Sequence, residues 1–150
     1  MFSKVLTVFA ISLTIFVSSS FVAQAAFSPA VLEEKGNVTY TEADYPRISV
    51  DELKTKLAKG EEVIIIDVRG KDFDASATKI KGALRFNGDL KTAAASLPRD
   101  KEIVTYCACS TDGGSVKAAM MLREAGFTNV RALKGGWTAW NAAQGAVESK

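Results

Sequence analysis

The sequence predicts an α/β domain, a sheet of parallel strands with helices on both faces. Three observations carry that expectation. Val63-Ile64-Ile65-Ile66 is an unbroken β-branched run, the pattern of a strand buried on both sides in the middle of a parallel sheet. Strand-like and helix-like segments alternate from Arg47 to Trp140, which suits parallel strands joined by crossover helices. Gly60 and Gly126 each follow a helix-like segment, where glycine supplies a C-terminal cap.

The elements follow in order. Ile48-Ser49-Val50 reads as a short strand running into a helix, with Ser49 as N-cap and Glu52 completing a capping box. Leu53 and Leu57 share one face of that helix, which stops near Lys59-Gly60. The run 63–66 is the next strand, and 83–86 a weaker one after Gly82. An Ala-rich helix is expected over 89–97, ended by Pro98. Residues 103–107 form another strand and 115–125 a helix, with Val116, Ala119, Met120 and Leu122 facing inward. Val130 to Leu133 is the last expected strand. Gly135-Gly136 then turns into a final helix bearing Trp137 and Trp140.

The first 46 residues do not belong to this pattern. Lys4 is followed by an apolar run to Val17, three serines and the triplet Ala23-Gln24-Ala25. A basic start, an apolar stretch and an Ala-x-Ala site are the parts of a secretory signal peptide, here residues 1–25. The apolar run is short for a membrane span, and no cysteine follows the cleavage site to carry a lipid. The expected product is periplasmic or secreted, with no stable membrane anchor after cleavage. Residues 26–46 show no period and read as an irregular N-terminal extension before a domain spanning 47–147.

Composition narrows the chemistry. The chain of 150 residues is 47% hydrophobic, enough for one sizeable core. Its 19 basic and 17 acidic residues leave a formal charge of +2, too balanced for a nucleic-acid binder. There is no histidine, which removes the Ser-His-Asp triad, the Cys-His dyad and imidazole zinc sites. The two cysteines, Cys107 and Cys109, rule out a disulfide framework and a four-cysteine zinc site. No metal or other cofactor is expected.

Three strand ends carry chemistry-bearing residues: Asp67-Val68-Arg69, the loop from Cys107 to Ser115, and Lys134-Gly135-Gly136-Trp137. Cys107 and Cys109, with Ser110, Thr111, Asp112, Gly113, Gly114 and Ser115, lead from a strand into a helix N-terminus. Backbone N–H groups of such a loop converge on a sulfur, and the helix dipole adds positive potential. Both favour thiolate over thiol. The alternative is an ordinary pair of buried cysteines at the end of a core strand.

The stretch from Ile48 to about Ala143 resembles a single rhodanese domain. The matching pieces, in order, are Ile48-Ser49-Val50-Asp51-Glu52-Leu53, Ile66-Asp67-Val68-Arg69, Ile80-Lys81-Gly82-Ala83, Ile103-Val104-Thr105-Tyr106-Cys107, Leu122-Arg123-Glu124-Ala125-Gly126-Phe127 and Leu133-Lys134-Gly135-Gly136-Trp137 with Trp140. The resemblance implies a rhodanese-like fold with a five-stranded parallel sheet. It also implies a sulfurtransferase, in which a cysteine takes a sulfane sulfur as a persulfide and hands it to a thiophile.

Departures from the family pattern matter here. The family loop has one cysteine, five residues and then the helix serine, often preceded by arginine. This chain has no arginine between Arg99 and Arg123, which argues against phosphatase or arsenate reductase chemistry and weakens the hold on a dianion such as thiosulfate. Aligned from the strand, Cys107 is the nucleophile and the loop is two residues longer. Aligned from the helix, Cys109 is the nucleophile, and the strand lengthens by two residues without changing its buried faces. The helix alignment is favoured, with Cys107 as its close rival. A Gly-His-Ile turn usual in the family is Thr78-Lys79-Ile80 here.

Arg69 and Lys134 are candidates for the cationic help that the loop lacks. For Asp67 and Arg69 the alternative is a structural ion pair. Trp137 is expected at the pocket mouth and Trp140 in packing. The leading expectation is an exported, monomeric sulfurtransferase acting between a small sulfur donor and a thiol or other thiophilic acceptor. Two others remain: a thiol-redox or Cu(I)-binding Cys-x-Cys protein, and an inactive partner-binding module of the same fold.

Overall fold

The computed structural model describes residues 40–86 and 90–150, with backbone only at Lys91 and Ala93. The expected signal peptide and most of the N-terminal extension lie outside the described residues.

Five strands form one parallel sheet: β1 (Arg47–Ile48), β2 (Val63–Asp67), β4 (Leu84–Arg85), β5 (Glu102–Tyr106) and β6 (Val130–Leu133), in the order β1-β6-β5-β2-β4. The helices are α1 (Val50–Ala58), α2 (Lys71–Ala75), α3 (Leu90–Ala94), α4 (Gly113–Glu124) and α5 (Gly136–Ala142). The β-branched run lies in β2, flanked by β5 on one side and β4 on the other.

Two cores explain why that run is unbroken. Ile66, Ile103 and Ala132 point to one face, where they meet Val116, Ala119 and Leu122 of α4. Their strand neighbours Ile65, Val104 and Leu133 point to the other, against Leu53 of α1 and Trp140 of α5. With a period of two and both faces covered, consecutive residues in the middle of such a strand face one core or the other and carry apolar side chains.

Ser49 caps α1 as expected, its hydroxyl accepting from the Glu52 N–H at 3.1 Å. The Glu52 carboxylate leaves the cap to accept from Arg131 of β6 at 2.6 Å. Arg131 also pairs with Glu102, which Lys56 of α1 approaches at 3.2 Å. This network ties α1 to the end of the sheet opposite the cysteine loop.

Several features differ from expectation. A short helix, α2, follows β2. A second sheet pairs β3 (Thr78–Ile80) with β7 (Val147–Ser149) antiparallel, Ile80 opposite Val147. The fold therefore continues past residue 147, and the Lys150 ammonium donates to the carbonyls of Phe73 and Asp74, both at 2.8 Å. Three-residue strands carry too little alternation to announce themselves, and pairing across such a sequence distance is a tertiary event. Part of the irregular extension is packed: Tyr45 is buried and donates to the Val130 carbonyl at 3.1 Å.

Candidate active site

β5 ends at Tyr106, opposite Asp67 of β2, and Cys107 is the next residue. The expected lengthening of this strand by two residues does not occur. The Cys107 carbonyl instead accepts from the Trp137 N–H at 2.8 Å, which fixes the strand end against the start of α5. That approach needs Gly136: a Cβ there would collide with the Cys107 carbonyl oxygen, and its φ is +51°. At the other end of the loop, α4 begins at Gly113 rather than Ser115, so two loop residues enter the first helical turn.

Asp112 holds the loop in shape. It is buried and left-handed, with φ 61°, a conformation that aspartate tolerates better than most residues. Its carboxylate accepts from the Gly135 N–H at 2.5 Å and from Arg47 Nε at 3.1 Å. Its carbonyl accepts from the Val116 N–H at 2.9 Å and the Ser115 hydroxyl at 2.8 Å. One side chain thus joins the loop to β1 and to the turn after β6. Arg47 had no signal in the sequence, because its partner lies 65 residues away.

The two cysteines occupy different environments. Cys107 is 5% exposed, its sulfur 3.8 Å from the Ser115 hydroxyl. Cys109 is exposed, and its Sγ lies 2.9 Å from that of Cys107. Burial, and then the hydrogen bond it gives to Cys109, push the Cys107 thiol above its ordinary value. The Cys109 thiol is held below its ordinary value, first by that hydrogen bond from Cys107 and then by the Gly114 N–H and the Thr111 side chain. Cys109 is therefore the more acidic thiol of the pair.

The other expected residues separate into an exposed lip and a buried support. Ser110, Thr111, Gly114 and Lys134 are exposed. Gly113 and Trp137 are half-buried and Ser115 is fully buried, its carbonyl accepting from Thr105 Oγ1 at 2.8 Å. Gly114 also borders an apolar cavity of about 240 Å³ between α3 and α4, lined by Val68, Phe86, Leu90 and Met121, with Lys117 at its side.

Arg69 corrects an expectation. Its guanidinium does not offer charge to an anion at the rim, for the residue is 1% exposed. Nη2 and Nε reach Asp67 at 2.6 and 3.0 Å, and Nη2 also donates to the Thr78 carbonyl at 3.0 Å. The Tyr106 hydroxyl donates to the same carboxylate at 2.5 Å and accepts from the Ile80 N–H at 3.2 Å. Burial, with the bond to Asp67, pushes the Tyr106 phenol upward. Nη1 has no hydrogen-bond partner, but the guanidinium lies over the Trp137 ring at 4.3 Å. Asp67, Arg69 and Tyr106 form a closed set that ties the loop after β2 to β3 and α5.

Among the described residues no group of three or more cysteine, aspartate or glutamate side chains converges to hold a metal ion. The two sulfurs are also close for a shared ion, since metal–thiolate bonds of about 2.3 Å, as at zinc, would meet at an acute angle.

A family model, described as Rhodanese-like domain, matches residues 49–143. The chain belongs to the rhodanese-like family. Solved relatives agree. The rhodanese-like domain of an Anabaena protein, determined by NMR, is 33% identical with a TM-score of 0.59, over 70% of this chain and 80% of that one. A Bacillus halodurans protein is 29% identical with a TM-score of 0.62, over 70% and 77%. A Rhodopseudomonas palustris protein of unknown function, described as a possible tyrosine phosphatase, is 21% identical with a TM-score of 0.57 over 74% and 96%; it shares the fold. No curated protein matches the chain significantly. In this rhodanese-like domain the loop between β5 and α4 carries two cysteines and no arginine.

Proposed function

We propose that this rhodanese-like domain is a sulfurtransferase that carries a sulfane sulfur on Cys109. The observation that supports it is the exposed Cys109 sulfur, 2.9 Å from the Cys107 sulfur, its thiol held below the ordinary value by the Cys107 thiol and the Gly114 N–H at the start of α4. The Cys109 thiolate attacks the outer sulfur of a donor such as thiosulfate. A sulfur–sulfur bond forms, the donor's own sulfur–sulfur bond breaks, and sulfite leaves with the electron pair. A thiophilic acceptor then attacks the outer sulfur of the Cys109 persulfide, and the Cys109 thiolate leaves. No net oxidation of the protein occurs. With Arg69 buried, stabilisation of negative charge falls to the backbone N–H groups of the loop and to exposed Lys134. The domain acts after export, in an oxidising compartment.

Intact mass after incubation of the reduced protein with thiosulfate tests this. The wild type gains one sulfur atom. Cys109→Ser gains none, because a serine hydroxyl cannot hold sulfane sulfur at neutral pH. If Cys109→Ser still loads while Cys107→Ser does not, the carrier is Cys107. If both single variants load, either cysteine accepts the sulfur and the assignment of the carrier to Cys109 alone fails.

A further inference from the structure

The carrier has a second thiol against it, and transfer to an external acceptor makes no use of it. Cys107 Sγ lies 2.9 Å from Cys109 Sγ, on the buried side, while Cys109 opens to solvent. A donor reaching Cys109 from solvent leaves its sulfur on the outer side. Cys107 Sγ stands on the buried side of Cys109 Sγ, away from the solvent side where the added sulfur sits, and so within reach for thiol attack on the new sulfur–sulfur bond.

We infer that Cys107 is a resolving thiol, which discharges a Cys109 persulfide as hydrogen sulfide and leaves a Cys107–Cys109 disulfide. This rests on the reading of Cys109 as sulfur carrier. The Cys107 sulfur bonds to Cys109 Sγ, the bond to the outer sulfur breaks, and that sulfur leaves with the electron pair. The leaving sulfur takes up the Cys107 proton and the persulfide proton and departs as hydrogen sulfide. The sulfane sulfur is reduced and the two cysteine sulfurs are oxidised, so the step needs no outside oxidant.

The outcome depends on supply. A thiophile that captures the outer sulfur first returns free Cys109, and the cycle repeats. Without one, each chain releases one sulfide and locks. A disulfide across a single intervening residue is strained, and therefore easily reduced. The partner this chemistry calls for is a dithiol reductant, which reopens the pair by exchange. The same bond formed by any oxidant blocks sulfur loading.

The test uses the reduced full chain loaded with thiosulfate, and in parallel with inorganic polysulfide, then freed of excess donor. Intact mass and released sulfide are followed together. The wild type first gains one sulfur, then becomes two hydrogens lighter than the reduced chain as one equivalent of sulfide appears. Dithiothreitol restores the reduced mass. Cys107→Ser keeps its added sulfur and releases no sulfide; Cys107→Ala gives the same comparison if the serine variant does not fold. A wild type that retains its sulfur as long as Cys107→Ser, or equal sulfide release from both, overturns the inference and leaves the carrier role of Cys109 standing. If neither donor adds sulfur to Cys109, the carrier role and the inference fail together.

Discussion

Replacing Arg69 with alanine separates a structural ion pair from a substrate contact. The guanidinium is 1% exposed and the Asp67 side chain 0%, so the pair lies inside the protein. Alanine removes the donors to Asp67 and to the Thr78 carbonyl and the stack over Trp137. Asp67 keeps the bonds from the Tyr106 hydroxyl and the N–H of residue 69, but its negative charge loses its counterion. Breaking a buried pair from one side costs about 3–5 kcal/mol. The two retained bonds hold the expected loss to about 3–4 kcal/mol. That is a large share of the roughly 5–15 kcal/mol that stabilises a domain. At about 4 °C per kcal/mol, Tm falls by on the order of 10–15 °C. Urea denaturation of the full chain, fitted with an unchanged m value, measures the first quantity, and a thermal melt the second. Sulfur loading, assayed where the variant is still folded, persists. A loss below about 1 kcal/mol, the size expected for an exposed pair, refutes the structural account. A stable variant that no longer loads sulfur returns Arg69 to the substrate.

Other outcomes follow from the site and from the proposed leader. Cys109 alkylates at a pH below the ordinary thiol value of about 8.5, and Cys107→Ala moves that reaction to higher pH, since the Cys107 hydrogen bond is the largest cause of the lowered value; an unchanged pH profile in the variant defeats the assignment of donor and thiolate. Because the Cys109 value is lower folded than unfolded, its thiolate favours the fold above the unfolded value, and that contribution disappears as pH falls through the folded one. Gly136→Ala drives a Cβ into the Cys107 carbonyl oxygen at a positive φ, so stability drops by about 1–3 kcal/mol and sulfur loading slows; unaltered urea midpoint and loading rate would show that α5 shifts freely. N-terminal sequencing of the exported protein should read from near Ala26, and a start at Met1 or Phe2 would make the segment an anchor.

Legibility differs from element to element. The run 63–66 gives away a strand buried on both sides because a central parallel strand admits little else. The Ser49 cap is legible because its bond is local, three residues long. The Glu52 half of the expected box does not form: Arg131, distant in sequence, competes for its carboxylate with a charged bond at 2.6 Å. The boundary between β5 and α4 departs from expectation at both ends, since the Trp137 N–H stops the strand at Tyr106 and the Asp112 conformation starts the helix at Gly113. The pairing of β3 with β7 joins segments whose patterns are too short to show a period.

The sequence by itself determined the fold family, the placing of Cys107 and Cys109 in the loop before α4, and the lack of an arginine there. The α/β class follows from period, the family from the resemblance of its ordered motifs to rhodanese domains, and the other two from residue type and spacing along the chain. Only the tertiary structure decided what those residues face. It set Cys107 inside and Cys109 outside with their sulfurs in contact, and it placed Arg69 on Asp67 beneath Trp137. Both outcomes depend on burial, which raises one thiol, leaves its neighbour free to be lowered, and keeps a guanidinium with its counterion. Burial is a property of the packed chain, and a residue's neighbours in sequence do not specify it.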